Sequence, residues 1–218
     1  MKKLLYFFII AGIAIVVIPF LVKATTSGPL GGSTFASQAD GEGVAWASPG
    51  NATSSNNVDT TASMTAASTT SQGLRVTGFN FNIPTGDTIN GIQVEFERRR
   101  GTCTAGLAGI DDEHVYILKA GSVVGTDKQT DTLWATTDTY NSYGGVADLW
   151  GTTWTPADIN GTTFGTELHA IIQAGEFPPA PPWSCIARVD HVRITITHTT
   201  PSGAIEVQRR RAIIIEPN

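Results

Sequence analysis

The amino-acid sequence predicts an all-β fold: a single antiparallel β-sandwich of jelly-roll type, preceded by an N-terminal hydrophobic segment that is a signal or anchor helix. Three observations lead there. The 218 residues include 30 Thr, 23 Gly and 11 Pro, and only 15% are charged, against roughly 25% in an ordinary soluble domain. From Leu74 onward, apolar and polar residues alternate at the period of two that a half-buried strand requires. Long helices and coiled coils need Ala, Glu, Lys and Leu at helical spacing, and a β-branched, Gly-punctuated chain does not supply them. The net charge of −5 also argues against a broad phosphate-neutralising surface, so no nucleic-acid partner is expected.

The chain opens with an address. Two lysines at the start, the uncharged run Leu4–Val22, then Lys23 and Ala24 follow the basic, apolar and small-residue order of a secretory signal peptide. Val22 and Ala24 fit an A-x-A-like cleavage site after Ala24. The alternative is a retained membrane anchor, since nineteen helical residues reach about 28 Å, close to the roughly 30 Å bilayer core. Membrane contact would then be through this segment alone. In either case the remainder is expected to be secreted or at the cell surface. Losing Lys2, Lys3 and Lys23 leaves 11 basic against 19 acidic residues, a net charge of −8. The expected map is 1–24 signal peptide or anchor, 25–43 flexible Gly/Ser/Thr-rich linker, 44–200 β-sandwich, and 201–218 a β-prone extension.

Residues 48–73 are poor in large apolar side chains and read as linker or edge strands. Leu74 and Val76 then alternate with polar neighbours, as do Phe79, Phe81 and Ile83. The phase slips at Gly78, as in a β-bulge. Pro84–Asp87 is a turn, and Ile92, Val94 and Phe96 mark the next strand. Residues 99–112 read as a loop, Val115–Leu118 as a strand, and Ala120–Gly121 as a turn before Val123 and Val124. Thr155 with Pro156 and Asp158 has the capping pattern of a short helix. Leu168, Ala170 and Ile172 form another strand, and 175–183 a proline-stiffened loop. The last strand, Cys185–Thr199, has its apolar phase on Cys185, Ala187 and Val189, then on Val192, Ile194 and Ile196, with a slip at Asp190 and His191. Strands with turn signals at this spacing point to a sandwich.

Cys103 and Cys185 are the two cysteines, and in an exported chain an even count favours a disulfide. Other side chains suggest chemistry less strongly. Glu95 and Glu97 share one strand face, about 6.5–7 Å apart, near the spacing of inverting glycosidases. Beside Arg98, Arg99 and Arg100, however, they read as ionised surface charges, and no enzymatic activity is expected. Asp111, Asp112 and Glu113 are the nominated ligands for calcium, the one candidate cofactor, because a hard cation needs several oxygens. His114 and His191 read as strand residues. Among the five tryptophans, Trp46, Trp150 and Trp154 suit the ends of the core. Trp134 and Trp183, in polar and Pro-rich loops, are candidates for stacking on a glycan.

The extension is aliphatic at Ile205, Val207, Ile213, Ile214 and Ile215. Left bare, such a strip invites pairing. It can finish its own domain as an edge strand, add to a neighbouring copy, or bind elsewhere. Partners are therefore expected among further copies of the chain or other surface proteins, with glycans second.

Five stretches together carry a resemblance. They are Val44–Asn51 (VAWASPGN), Phe79–Val94 (FNFNIPTGDTINGIQV), Val115–Asp127 (VYILKAGSVVGTD), Thr136–Ile159 (TTDTYNSYGGVADLWGTTWTPADI) and Ala187–Thr197 (ARVDHVRITIT). Over residues 40–200 the chain resembles a recurrent secreted module of uncertain function, found in uncultured bacteria and in phage virion or tail-associated proteins. The resemblance implies one β-sandwich domain in a surface or virion context, and no catalytic residue. The reading is an exported, non-catalytic structural or interaction protein of the cell surface that assembles through its C-terminal extension. The alternative is an adhesin-like carbohydrate-binding sandwich.

Overall fold

The computed structural model describes residues 24–39, 43–176 and 180–201. The proposed leader up to Lys23 and the assembly strand with Ile205, Val207, Ile213, Ile214 and Ile215 lie outside the described residues. The ten strands among the described residues all pair antiparallel in two sheets. Two 16-residue strands, β5 (Thr88–Cys103) and β10 (Ser184–Thr199), form the centre of the first sheet. Beyond β5 lies β8 (Thr139–Gly145). The far side of β10 is shared by β3 (Thr60–Thr65) along its first half and β1 (Ala24–Gly31) along its second. The second sheet runs β2 (Thr34–Gln38), β4 (Gly73–Thr77), β9 (Gly165–Ala174), β6 (Leu107–Lys119) and β7 (Ser122–Val124).

The alternation read from the sequence sorts the two faces. Ile92, Val94 and Phe96 of β5 and Val192, Ile194 and Ile196 of β10 meet Leu74, Val76, Val115, Ile117, Leu168 and Ala170 of the opposite sheet. All twelve are fully buried, each contributing about 1.5–3 kcal/mol for the larger side chains. The slip expected near Asp190 is a register shift between Val189 and His191. It turns the Asp190 carboxylate inward, where it accepts hydrogen bonds from the backbone N–H groups of Asn56, Asn57 and Val58 at 2.9–3.0 Å. The short helix α1 (Pro156–Asn160) has the expected capping box: Asp158 N–H donates to Thr155 Oγ1, and Thr155 N–H donates to the Asp158 carboxylate. Trp46, Trp150 and Trp154 are buried and donate their indole N–H groups to the carbonyls of Gln72, Ile92 and Leu149.

Three expectations are corrected. Residues 25–43 do not form a linker throughout, because β1 and β2 supply an outer strand to each sheet and the sandwich begins at Ala24. In β1 the Thr, Ser and Gly content reflects exposure along the strand rather than freedom from pairing, while β2 sets Phe35 against the core. The segment 99–112 is not a loop. The three arginines continue β5, and the chain turns only at Thr104–Gly106 before β6 begins. Third, Phe79–Ile83 is extended without being a strand. Gly78 (φ +72°) and Asn80 (φ +54°) take the chain out of the sheet, and Phe79, Phe81 and Ile83 plug the core beside Phe164. The Asn160 side-chain amide replaces a strand partner, bonding both the N–H and the carbonyl of Ile83 at 2.8 Å.

Cys103 and Cys185 form the disulfide and face each other across the β5–β10 ladder, 82 residues apart in sequence. A loop of that length places the chain-entropy contribution at about 4 kcal/mol. Cys103→Ser/Cys185→Ser is expected to lower unfolding free energy by about 2–5 kcal/mol, read from urea midpoints under oxidising conditions. Coincident curves for both forms would contradict this.

Candidate functional site

The nominated side chains are distributed over the core, the two sheet surfaces and one end of the sandwich. Asp112 projects from β6 between the sheets and meets Arg98 from β5, both 2% exposed. The Arg98 guanidinium lies 3.2–3.3 Å from the Asp112 carboxylate and 2.6 Å from the Tyr143 hydroxyl, which in turn donates to Asp112 at 2.7 Å. Thr130 Oγ1 and the Trp134 indole N–H donate to the same carboxylate at 3.0 and 2.9 Å. The guanidinium carbon stands 4.5 Å from the Trp134 ring centre. Burial pushes the Tyr143 phenol well above its ordinary range, and the neighbouring Asp112 charge adds to the shift. This compensated charge cluster ties residues 130–134 to both sheets.

Two site expectations fail for this reason. Trp134 is 2% exposed and is consumed by Asp112 and Arg98, so it offers no stacking surface. The calcium nomination is also overturned. Asp112 is neutralised in the core, Asp111 accepts a hydrogen bond from Gln173 at 2.9 Å, and Glu113 occupies a bulge between Asp112 and His114. Burial raises the Asp111 carboxyl above its ordinary pKa, and the neighbouring Asp112 and Asp131 charges add to the shift. Among the described residues, no group of three His, Cys, Asp or Glu side chains is placed to hold a metal.

The outer faces are dense with paired charge. On the first sheet, Arg193 makes a two-pronged ion pair with Glu95 (2.8 and 3.1 Å) and covers the Tyr140 ring at 3.7 Å. Tyr140 meets His191 Nδ1 at 2.8 Å, and burial holds the His191 imidazole below its ordinary pKa. Arg99 pairs with Asp138 and Asp59, and Asp59 also takes Arg188. Glu95 is therefore held by β10 rather than by the arginines next to it in sequence. On the second sheet, Glu167 bridges Arg75 (2.5 Å) and His169 (3.2 Å), while His114 stacks on Tyr116 and bonds Asp127 at 2.6 Å.

Trp183 is placed differently. It is half-buried beside the disulfide, in a shallow groove of about 540 Å³ lined by Thr65, Ala66, Thr104, Pro181 and Pro182. Residues 65–67 line it from a tight turn: Thr65 and Ser68 exchange backbone hydrogen bonds, and Ala66 N–H donates to the Trp183 carbonyl at 3.1 Å. Ser184 N–H donates to Thr104 Oγ1 at 3.0 Å. An aromatic ring beside prolines and hydroxyl groups can take an apolar sugar face or another flat ligand. Sequence spacing placed Trp183 in a Pro-rich loop, but did not bring it to Thr65 or Thr104.

No protein-family model and no curated protein matches the chain.

Arg98→Met and Asp112→Asn are each expected to destabilise the fold by about 3–5 kcal/mol, because each leaves a buried group without its partner. The double variant should lose at least 1 kcal/mol less than the sum of the two, as contacting charges do. Strictly additive losses in denaturant titrations would show that the two residues act independently.

Proposed function

We propose that the chain is an exported structural or interaction component of the cell surface, assembling with further copies through strand addition by residues 201–218. The observation that carries this reading is the open edge of β1. Among the described residues that strand pairs with β10 on one side only, and it is exposed along most of its length. Such an edge is a template for another strand. Thr199 pairs with Ala24, so the extension leaves the fold next to this edge. A tail folding straight back from Thr199 would run parallel to β1, the rarer pairing, whereas a neighbour's tail can approach antiparallel. The basic, apolar N-terminal segment and the resemblance to a secreted surface or virion module support export. A jelly roll is the finer reading of the fold. Counting β3 to β10 as 1 to 8, the sheets run 1-8-3-6 and 2-7-4-5, the double Greek-key order of that architecture.

Mature protein starting at Thr25 is expected to form species larger than a monomer in light scattering at high concentration, and deletion of Ala204–Asn218 should return it to monomer. A folded full-length monomer at the same concentration defeats the assembly reading.

The groove at Trp183 favours a second reading, a carbohydrate-binding sandwich. The other four indoles are at most 8% exposed, so quencher-accessible emission should belong to Trp183. A glycan found by array should shift that emission, and Trp183→Ala should remove both the shift and the binding. An array without hits, or binding that survives Trp183→Ala, rejects this site.

A further inference from the structure

One polar cluster at the end of the sandwich is used by none of the readings above. His198, near the end of β10, is 6% exposed at its side chain, and its Nδ1 lies 2.6 Å from Oδ2 of Asp87, whose side chain is 1% exposed. Thr200 Oγ1 donates to the same Asp87 oxygen at 3.0 Å. On the other side of the imidazole, Nε2 is 3.0 Å from Oγ of Ser27 in β1, a half-buried residue. The three groups come from sequence positions 27, 87 and 198 and from three elements: an edge strand, the turn before β5, and the last strand.

The order of contacts defines the roles. An ionised carboxylate only accepts hydrogen bonds, so Asp87 draws the imidazole proton to Nδ1 and leaves Nε2 as the acceptor for the Ser27 hydroxyl. A hydroxyl on a histidine base, itself oriented by a buried acid, is the arrangement that activates serine in acyl transfer. It is recognised by geometry and not by order in the chain. The local backbone supplies a second observation. The register of β1 on β10 shifts between Ser27 and Leu30, and bulges of this kind re-aim side chains. Gly28 sits in the shift at φ +106°, where an added Cβ would come within 2.6 Å of the Ile194 carbonyl oxygen. The irregularity that sets Ser27 on His198 therefore requires glycine at position 28.

We propose that Ser27, His198 and Asp87 form an acyl-transfer site acting on carboxylic esters, with Ser27 as nucleophile, His198 as general base and Asp87 as the positioning residue. Ser27 Oγ bonds to the ester carbonyl carbon as its proton passes to His198 Nε2. The bond to the leaving alkoxide breaks, and that alkoxide takes the proton from Nε2. Water then repeats the sequence on acyl-Ser27, releasing the carboxylic acid and restoring the hydroxyl.

The test uses the full chain and a fluorophosphonate probe, in which serine displaces fluoride from phosphorus. Mass spectrometry is expected to find one adduct, on the Ser27 peptide, formed at least 10-fold faster than on any other serine of the wild-type chain. That comparison needs no variant. Ser27→Ala, which removes only a half-exposed hydroxyl, should keep the melting temperature within a few degrees and abolish the adduct. His198→Gln should abolish it, and Asp87→Asn should slow it at least 10-fold. Long-range proton–nitrogen spectra should show His198 protonated on Nδ1 in the wild type, a signature that Asp87→Asn should remove. The proposal fails if Ser27 labels no faster than the other serines, if labelling persists at equal rate in folded His198→Gln, or if His198 carries its proton on Nε2. In any of those cases the cluster serves only to fasten β1 to the end of β10.

Discussion

The structure depends on the pairing of β5 with β10. These two strands of 16 residues run antiparallel over nearly their whole length. Every other strand of their sheet joins one of them. β10 holds β3 and β1 end to end along its free side, and β5 holds β8. The disulfide joins one end of the pair. Because the strands are so long, each has to correct its twist and register, and the shifts near Ala187, His191 and His198 do so. The shift at His191 also turns Asp190 inward to fasten residues 56–58. A pairing defect in the middle of this ladder would therefore disturb the attachment of both outer strands and not only its own residues.

Strands with one face on the core and one face in water were legible in the sequence. Ile92–Phe96 and Val192–Ile196 carry the alternation in their side chains and burial follows it residue by residue, whereas in Leu168–Ile172 the polar-phase His169 is buried as well. The outer strands were not legible for a physical reason. β1 is exposed on nearly every residue, so its pairing leaves no apolar pattern to read. Phe79–Ile83 shows the opposite limit. Alternation there reports burial of every second side chain, and the pairing that normally accompanies it is replaced by one asparagine amide. The charge of the arginine triplet argues for a surface position, against the strand period. Arg98 follows the inward phase of Ile92, Val94 and Phe96, and two-residue periodicity alone would have placed it inside.

The candidate site was less legible than the fold. Its parts come from distant stretches, and a single sequence carries no signal for which loop meets which. Trp183 could be nominated from its Pro-rich setting, but Thr65 and Thr104, which share its groove, could not. Trp134 has a similarly polar setting and a different fate, because one buried carboxylate opposite it needed donors. Asp112 obtains four, from Arg98, Tyr143, Thr130 and Trp134. Replacing such a cluster with well-packed apolar residues would often stabilise a core. Its contribution here is to orient: four fixed donors from three segments admit one arrangement of β5, β8 and the 130–134 loop about Asp112 of β6.

In a chain with only 15% charged residues, most of the charged side chains among the described residues are thus committed to contacts within the chain. Glu95, Asp59 and Glu167 each face at least one arginine on the sheet surfaces, as Asp112 does between the sheets. Recognition through these faces would have to break ion pairs before forming new contacts, so they are poor places for a partner to land. The ends of β10 differ. At Ser184 the strand begins beside Trp183 and its groove. At Thr199 it ends beside Ala24, Ser27 and the exposed edge of β1. Ala24 and Pro201, where the described residues stop, therefore lie at the end of the sandwich that holds the exposed edge of β1 and the Ser27–His198–Asp87 cluster. Whatever binds along that edge would pass within a few residues of Ser27, which places pairing and chemistry at one end and leaves the Trp183 groove, beside the disulfide, at the other.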